Sequence, residues 1–326
     1  MRDGLDGRGA VSRMPAGIRS LALLAIALAQ VPAPELAGQG PKAGTVRFVT
    51  SCRRAVRARF NRAVALLHSF AFGPAGDAFR TVLKADSTCT MAWWGLALGA
   101  WGNPFAAGVK PPAAIGRGLE AVARARATGH PTPRESGYVE AAARLYEHAD
   151  SLDQRNRLLA YRNAMADLVA RAPRDTEAKI FHALALAASA DPADKSYANQ
   201  LEAGATLEKL FTRLPDHPGL AHYIVHSYDV PPLAARARGA AQRYARIAPT
   251  IAHALHMPSH TWTRVGDWRR SIAANTAAGT AARQQGSGSE ELHSADYLVY
   301  AELQLGRDSA AHAILLRLPE IGRAHV

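Results

Sequence analysis

Six histidines in the C-terminal third of this 326-residue chain carry its clearest chemical signal. His222 and His226 stand four apart, as do His256 and His260, with His253 just ahead of the second pair and His293 beyond it. Residues four apart on a helix share a face, so each pair presents two imidazoles side by side. A neutral imidazole offers one nitrogen lone pair, and several on one face make a site for a transition-metal ion. The two pairs lie 34 residues apart, His222 from His256 and His226 from His260, which puts them at equivalent places in a repeat. Asp296 adds a carboxylate three residues after His293. Six imidazoles and one carboxylate favour zinc or copper over magnesium, calcium or a carboxylate-rich di-iron centre. The set exceeds one tetrahedral shell, leaving open two ions, or one ion backed by further histidines. Asp229, Tyr228, Tyr297 and Tyr300 are candidates to hold the ligands from behind.

Helices must position these side chains. Nearly half the residues are apolar, 48%, but only 7% are aromatic, and no segment alternates in the manner of a strand. Helix-closing segments recur, as in Ala170-Arg171-Ala172-Pro173 and Arg246-Ile247-Ala248-Pro249. Gly266-Asp267-Trp268 and Gly306-Arg307-Asp308 each read as a turn, with Gly ending one helix and Asp starting the next. The pattern predicts an all-α solenoid of seven helix pairs, at 54–86, 89–128, 134–171, 174–213, 217–248, 250–284 and 290–318. Each pair has two apolar sides and needs its neighbours to cover them. Packed helices lie ~8–10 Å apart, so side chains from adjacent pairs can meet on one ion. Trp93, Trp94 and Trp101 read as packing residues. Pro258 interrupts the His256–His260 helix, as either a kink or the true first turn.

Two resemblances sharpen this reading. Ala78-Phe79-Arg80-Thr81-Val82-Leu83-Lys84-Ala85-Asp86 resembles the second helix of a tetratricopeptide repeat. Met91-Ala92-Trp93-Trp94-Gly95-Leu96-Ala97 resembles the first helix of the next, with Trp93 and Leu96 at its packing positions. The likeness implies a concave groove lined by the second, fifth and ninth positions of each first helix. Counted from Pro173 and Pro249, His222 and His256 take the fifth position, His226 and His260 the ninth, and His253 the second. Phased on Gly306, His293 and Asp296 take the second and fifth. From about Cys52 to Leu318 the chain also resembles a family of uncharacterised exported bacterial repeat proteins. The motifs are Phe60-Asn61-Arg62, Leu66-Leu67-His68-Ser69-Phe70, Trp101-Gly102-Asn103-Pro104-Phe105, Asp194-Lys195-Ser196-Tyr197-Ala198-Asn199-Gln200 and Ala254-Leu255-His256-Met257-Pro258-Ser259-His260. That resemblance implies fold and export, and no particular activity.

The ends and the charge bound the remaining possibilities. Arg13 and Arg19 precede the apolar run Leu21–Leu28, and Ala27-Leu28-Ala29 supplies a cleavage site, so residues 1–29 read as a signal peptide. The run is too short to span a bilayer, and no transmembrane segment is expected in the mature chain. Residues 30–49, rich in Pro and Gly, read as a flexible leader; 50–319 is the expected solenoid. Glu320–Val326 resembles a translated sequencing adapter, so the native protein is expected to continue past it. Export leaves Cys52 and Cys89 in a compartment where a disulfide persists. The formal charge of +12 comes from scattered arginines without a dense basic run or stacking aromatics, which argues against nucleic acid. No His-Glu-x-x-His, nucleophile elbow or phosphate loop occurs. The expected function is therefore a periplasmic or extracellular scaffold binding zinc or copper, ahead of a protein or peptide-binding groove and ahead of a metal-dependent enzyme.

Overall fold

A computed structural model describes residues 42–106 and 108–323; the expected signal peptide, residues 30–41 of the expected leader and the last three residues lie outside the described residues. Fifteen α-helices and no strand occur among the described residues. They are α1 (Arg57–His68), α2 (Phe72–Ala85), α3 (Thr90–Trp101), α4 (Pro112–Ala127), α5 (Pro133–Ala143), α6 (Gln154–Arg171), α7 (Thr176–Ala188) and α8 (Ala198–Phe211). There follow α9 (Pro218–Ser227), α10 (Arg238–Ile247), α11 (Ala252–His256), α12 (Pro258–Arg264), α13 (Trp268–Gln284), α14 (Gly288–Gln304) and α15 (Asp308–Arg323). The seven expected pairs are all present, each helix packing chiefly on its sequence neighbours. In the sixth pair Pro258 divides the first helix into α11 and α12, joined through Met257, which keeps helical dihedrals. Pro258 is thus the first residue of α12 and a kink at once.

Local chemistry sets the boundaries. Asp153, Asp175 and Asp267 cap α6, α7 and α13 by accepting from the backbone N–H three residues on. Thr132 and Glu135 form a reciprocal capping box on α5. Gly266, with φ 72°, makes the left-handed turn that releases the chain from α12 into Asp267.

Two features depart from a simple open solenoid. The first is the segment expected to be a loose leader. Residues 42–49 form no helix or strand, yet Val46 and Phe48 are buried. The Thr45 N–H donates to the Asp216 carbonyl and the Phe48 N–H to Asn61 Oδ1. Phe48 packs its ring against Trp94 at 5.2 Å and Tyr138 at 5.1 Å. Prolines and glycines earlier in the leader suggest looseness, but alternate apolar residues from Val46 have an aromatic core to enter. Within that core Trp94, rather than Trp93, is the wholly buried member of the tryptophan pair. The second departure is closure: α1 packs against α9, far along the chain, so the array curls back on itself. A repeat array in which each unit touches only its neighbours would leave the inner face open. Here the end of α1 and the loop after it fill that face.

Cys52 and Cys89 form a disulfide that ties the entry of α1 to the start of α3 across 37 residues. Closing a loop of that size removes unfolded-state entropy worth roughly 2–4 kcal/mol. Cys52→Ser should lower unfolding stability by about that amount in denaturant titration. An unchanged midpoint would show that the bridge contributes nothing.

Candidate metal centre

Packing at the close of α1 builds the site's inner wall. The helix ends in a hydrogen-bonded reversal in which the Ala71 N–H donates to the Leu66 carbonyl and the Phe70 N–H to the Leu67 carbonyl. The residue at the reversal adopts left-handed dihedrals and is ordinarily Gly. Here it is Phe70, with φ 53°. A bulky residue in that region costs on the order of 1–2 kcal/mol, tolerated where the surrounding structure holds the side chain in place. The buried ring lies 4.4 Å from the His222 ring and 5.4 Å from that of His253. Phe105 stacks on His226 at 4.1 Å.

Six histidines from four helices gather on this wall. His222, His226 and His253 form an inner trio, and His256, His260 and His293 an outer one, with one ligand nitrogen per ring lying within 4.8 Å of the others in each trio. His222 and His256 are wholly buried, His253 nearly so, and His293 is exposed. The expected groove residues therefore sit mostly in the interior, because closure has covered them.

Hydrogen bonding decides which nitrogen each ring offers. His222 Nδ1 lies 2.6 Å from the His68 carbonyl, one of those left without an intrahelical partner at the end of α1. A carbonyl only accepts, so Nδ1 carries the proton and Nε2 the lone pair. His256 Nδ1 donates to Asn275 Oδ1 at 2.6 Å, and the Asn275 amide is oriented by its own bond to the Ser271 carbonyl. His260 Nδ1 donates to Asp229 Oδ2 at 2.7 Å, and His253 Nδ1 reaches Glu290 Oε2 at 3.4 Å. All four rings are thus anchored through Nδ1. Their bare Nε2 atoms face one another, His222 to His253 at 3.2 Å and His256 to His260 at 3.0 Å. His226 Nε2 is buried without a hydrogen-bond partner among the described residues.

The electrostatics agree with neutral rings. Burial first, and then the other imidazoles, hold His222, His226 and His256 well below the usual histidine range. Burial alone would raise Asp229, but its bonds from His260 and Arg264 hold it below the ordinary carboxylate range. Glu290 is likewise lowered, its burial outweighed by the contact with His253.

The carboxylate expected in the set, Asp296, is exposed on α14 and belongs to neither trio. Tyr297, one residue on, faces the cluster instead, its hydroxyl 3.3 Å from His260 Nδ1. The carboxylates that touch the rings are Asp229, among the expected supporting residues, and Glu290, to which the histidine spacing gave no pointer. Tyr228 is buried, and the Tyr300 ring packs on Trp268. His182 lies near Glu202 and Arg162, apart from both trios.

A second buried cluster, His68 with Glu177 and His217, carried no periodic signal. His68 Nε2 and His217 Nε2 each lie 3.0 Å from a Glu177 oxygen, and His68 Nδ1 meets the Tyr223 hydroxyl at 3.0 Å. Both Nε2 atoms donate to the carboxylate, which their bonds hold below the usual range against the opposing effect of burial. The lone pairs do not converge, so this cluster is a structural brace. Gly219 leaves room for it: a Cβ there would lie 2.5 Å from His68 Nδ1.

No family model matches the chain, and no curated protein matches it. Among solved structures it is similar to MamA from Desulfovibrio magneticus RS-1, with TM-score 0.43 and 13% identity, covering 52% of this chain and 89% of that one. It is also similar to the C-terminal part of a TPR repeat-containing protein from Cytophaga hutchinsonii, with TM-score 0.39 and 11% identity, covering 80% and 95%. The architecture above rests on this chain's own helices.

Buried neutral rings make the metal-free protein acid-sensitive. His68, His222, His226 and His256 are all lowered in the fold, chiefly by burial, whereas unfolded histidine takes up its proton near pH 6.5. The unfolded state then binds more protons below that value, so stability is complete above it and falls as pH drops through it. The denaturant midpoint should decline between about pH 7 and pH 5. A flat or rising midpoint over that window would contradict neutral buried rings.

Proposed function

We propose that the chain is an exported helical-repeat scaffold that binds transition-metal ions, zinc or copper, through the two histidine trios. The observation that carries this reading is the pairing of bare Nε2 atoms at 3.2 and 3.0 Å. Two nitrogens bound tetrahedrally to one ion at ~2.0–2.1 Å stand about 3.3 Å apart. Unshared lone pairs at that separation repel, and an ion between them removes the repulsion. A shared proton would do so too, but burial opposes the charge it brings. The oxygen acceptors on Nδ1 supply the outer hydrogen bonds that histidine ligands ordinarily have. Softness and charge point the same way: neutral imidazoles suit zinc and copper.

The alternatives find less support at this site. A peptide laid in the groove needs accessible rings, and His222 and His256 have no exposed surface. Hydrolysis needs a base beside the ion, and the two carboxylates that touch the rings are occupied, Asp229 by His260 and Arg264 and Glu290 by His253. Among the described residues no helix is long and apolar enough to cross a membrane. Export rests on the signal-peptide reading and fits an oxidised Cys52–Cys89 pair; mature N-terminal sequencing of the periplasmic fraction tests it.

Metal content of untagged protein tests the main proposal. His222→Ala with His226→Ala, and His256→Ala with His260→Ala, should each lose metal, whereas His312→Ala on the exposed face of α15 should not. Asp229→Asn keeps the ring of His260 in place with a weaker acceptor and should reduce affinity by roughly 10–100-fold. Equal metal content in the double variants and the control would end the proposal.

A further inference from the structure

The two trios make one chamber. Ring centroids within a trio lie between 4.4 and 6.5 Å apart. Across the boundary His226 and His260 are 5.8 Å apart, and His253 and His256 are 6.1 Å apart. Ions held in the two trios would therefore be neighbours. Each would have three imidazoles and an open coordination position, with neither a carboxylate nor a thiolate among its ligands.

Charge then selects the occupants. Two divalent ions bring four positive charges into a mostly buried chamber whose six ligands bring none. Asp229 is already shared with Arg264, which leaves Glu290 on His253 and the exposed Asp296 near His293 as the remaining anions. Uncompensated buried charge is strongly unfavourable. Two monovalent ions halve the excess, and of the two metals that imidazole suits here only copper has a stable monovalent state. Resting on the metal reading above, we infer that the trios hold two cuprous ions and take up dioxygen between them. Each ion gives one electron, and dioxygen accepts both to become peroxide. Two copper–oxygen bonds form, the oxygen–oxygen single bond remains, and no proton is needed. The pair of ions rises from two positive charges to four while the bridge contributes two negative ones. The chamber's net charge is the same before and after, which is the condition a set of neutral ligands can accommodate. Dioxygen has a route in: His293 is exposed, and the His260 side chain keeps 12% of its surface accessible. The Phe70 and Phe105 rings shield the inner trio from bulk water.

The test is an anaerobic titration of the full chain with cuprous ion, followed by admission of dissolved dioxygen. The expected result is two ions bound per chain and one dioxygen consumed per pair. The oxidised product should have little paramagnetic resonance signal, because the bridge couples the two cupric spins. His293→Gln, at an exposed position that leaves the fold intact, should retain one ion and reduce dioxygen uptake roughly tenfold or more. Two ions bound without dioxygen uptake, or two isolated cupric signals, would overturn the inference while leaving the metal reading in place. Failure to bind cuprous ion would overturn the inference, and only failure to bind zinc as well would overturn the metal reading.

Discussion

A buried imidazole has two ring nitrogens, and each needs a partner. In this protein four rings settle one nitrogen on oxygen and leave the other facing its own kind. The anchors come from different elements: the last turn of α1, Asn275 on α13, Asp229 after α9 and Glu290 at the head of α14. Each fixes the tautomer of one ring. A ring that lost its anchor could place its proton on Nε2, and the convergence of lone pairs would end. Unsatisfied buried polar atoms cost about 1–3 kcal/mol each, so the metal-free cluster weakens the fold that carries it. The aromatic core around Phe48, Trp94 and Tyr138, the disulfide and the His68–Glu177–His217 brace offset that cost.

Closure of the repeat array links the two ends of this arrangement. The first helix contributes no ligand, yet its terminal carbonyl orients His222 from 154 residues away, and Phe70 seals the inner trio. The side chain of the residue bearing that carbonyl, His68, is fixed by Glu177 and Tyr223. The N-terminal pair is therefore part of the site. Phe70 in a backbone conformation suited to Gly is the local expression of the same constraint: strain is retained because the ring has a place to fill.

Which parts of this were readable in the sequence follows from the range of the interactions. The 34-residue spacing and the Gly-Asp and Ala-Pro punctuation are local, and they located all seven helix pairs and the shared face of His222, His226, His256 and His260. Closure of α1 on α9 is non-local and leaves no periodic trace, so the histidines were expected on an open groove rather than inside. Choosing between Asp296 and Glu290 depended on the rotation of α14, which position counting from Gly306 does not fix. Asn275 as an anchor for His256 could not be distinguished from any other polar helix residue. The buried entry at Val46 and Phe48 is two apolar residues about Arg47, too short an alternation to read as an element beside the nearby Pro and Gly.

The central claim is that the Nε2 atoms of the two trios converge to hold ions. Anomalous diffraction from crystals grown with zinc or copper measures it most directly. The account predicts a peak within each trio, ~2.0–2.1 Å from its histidine nitrogens, with Nδ1 of His222, His253, His256 and His260 still on their oxygen acceptors. Peaks confined to surface side chains or to His68, Glu177 and His217, or ligation through Nδ1 of those four rings, would contradict it.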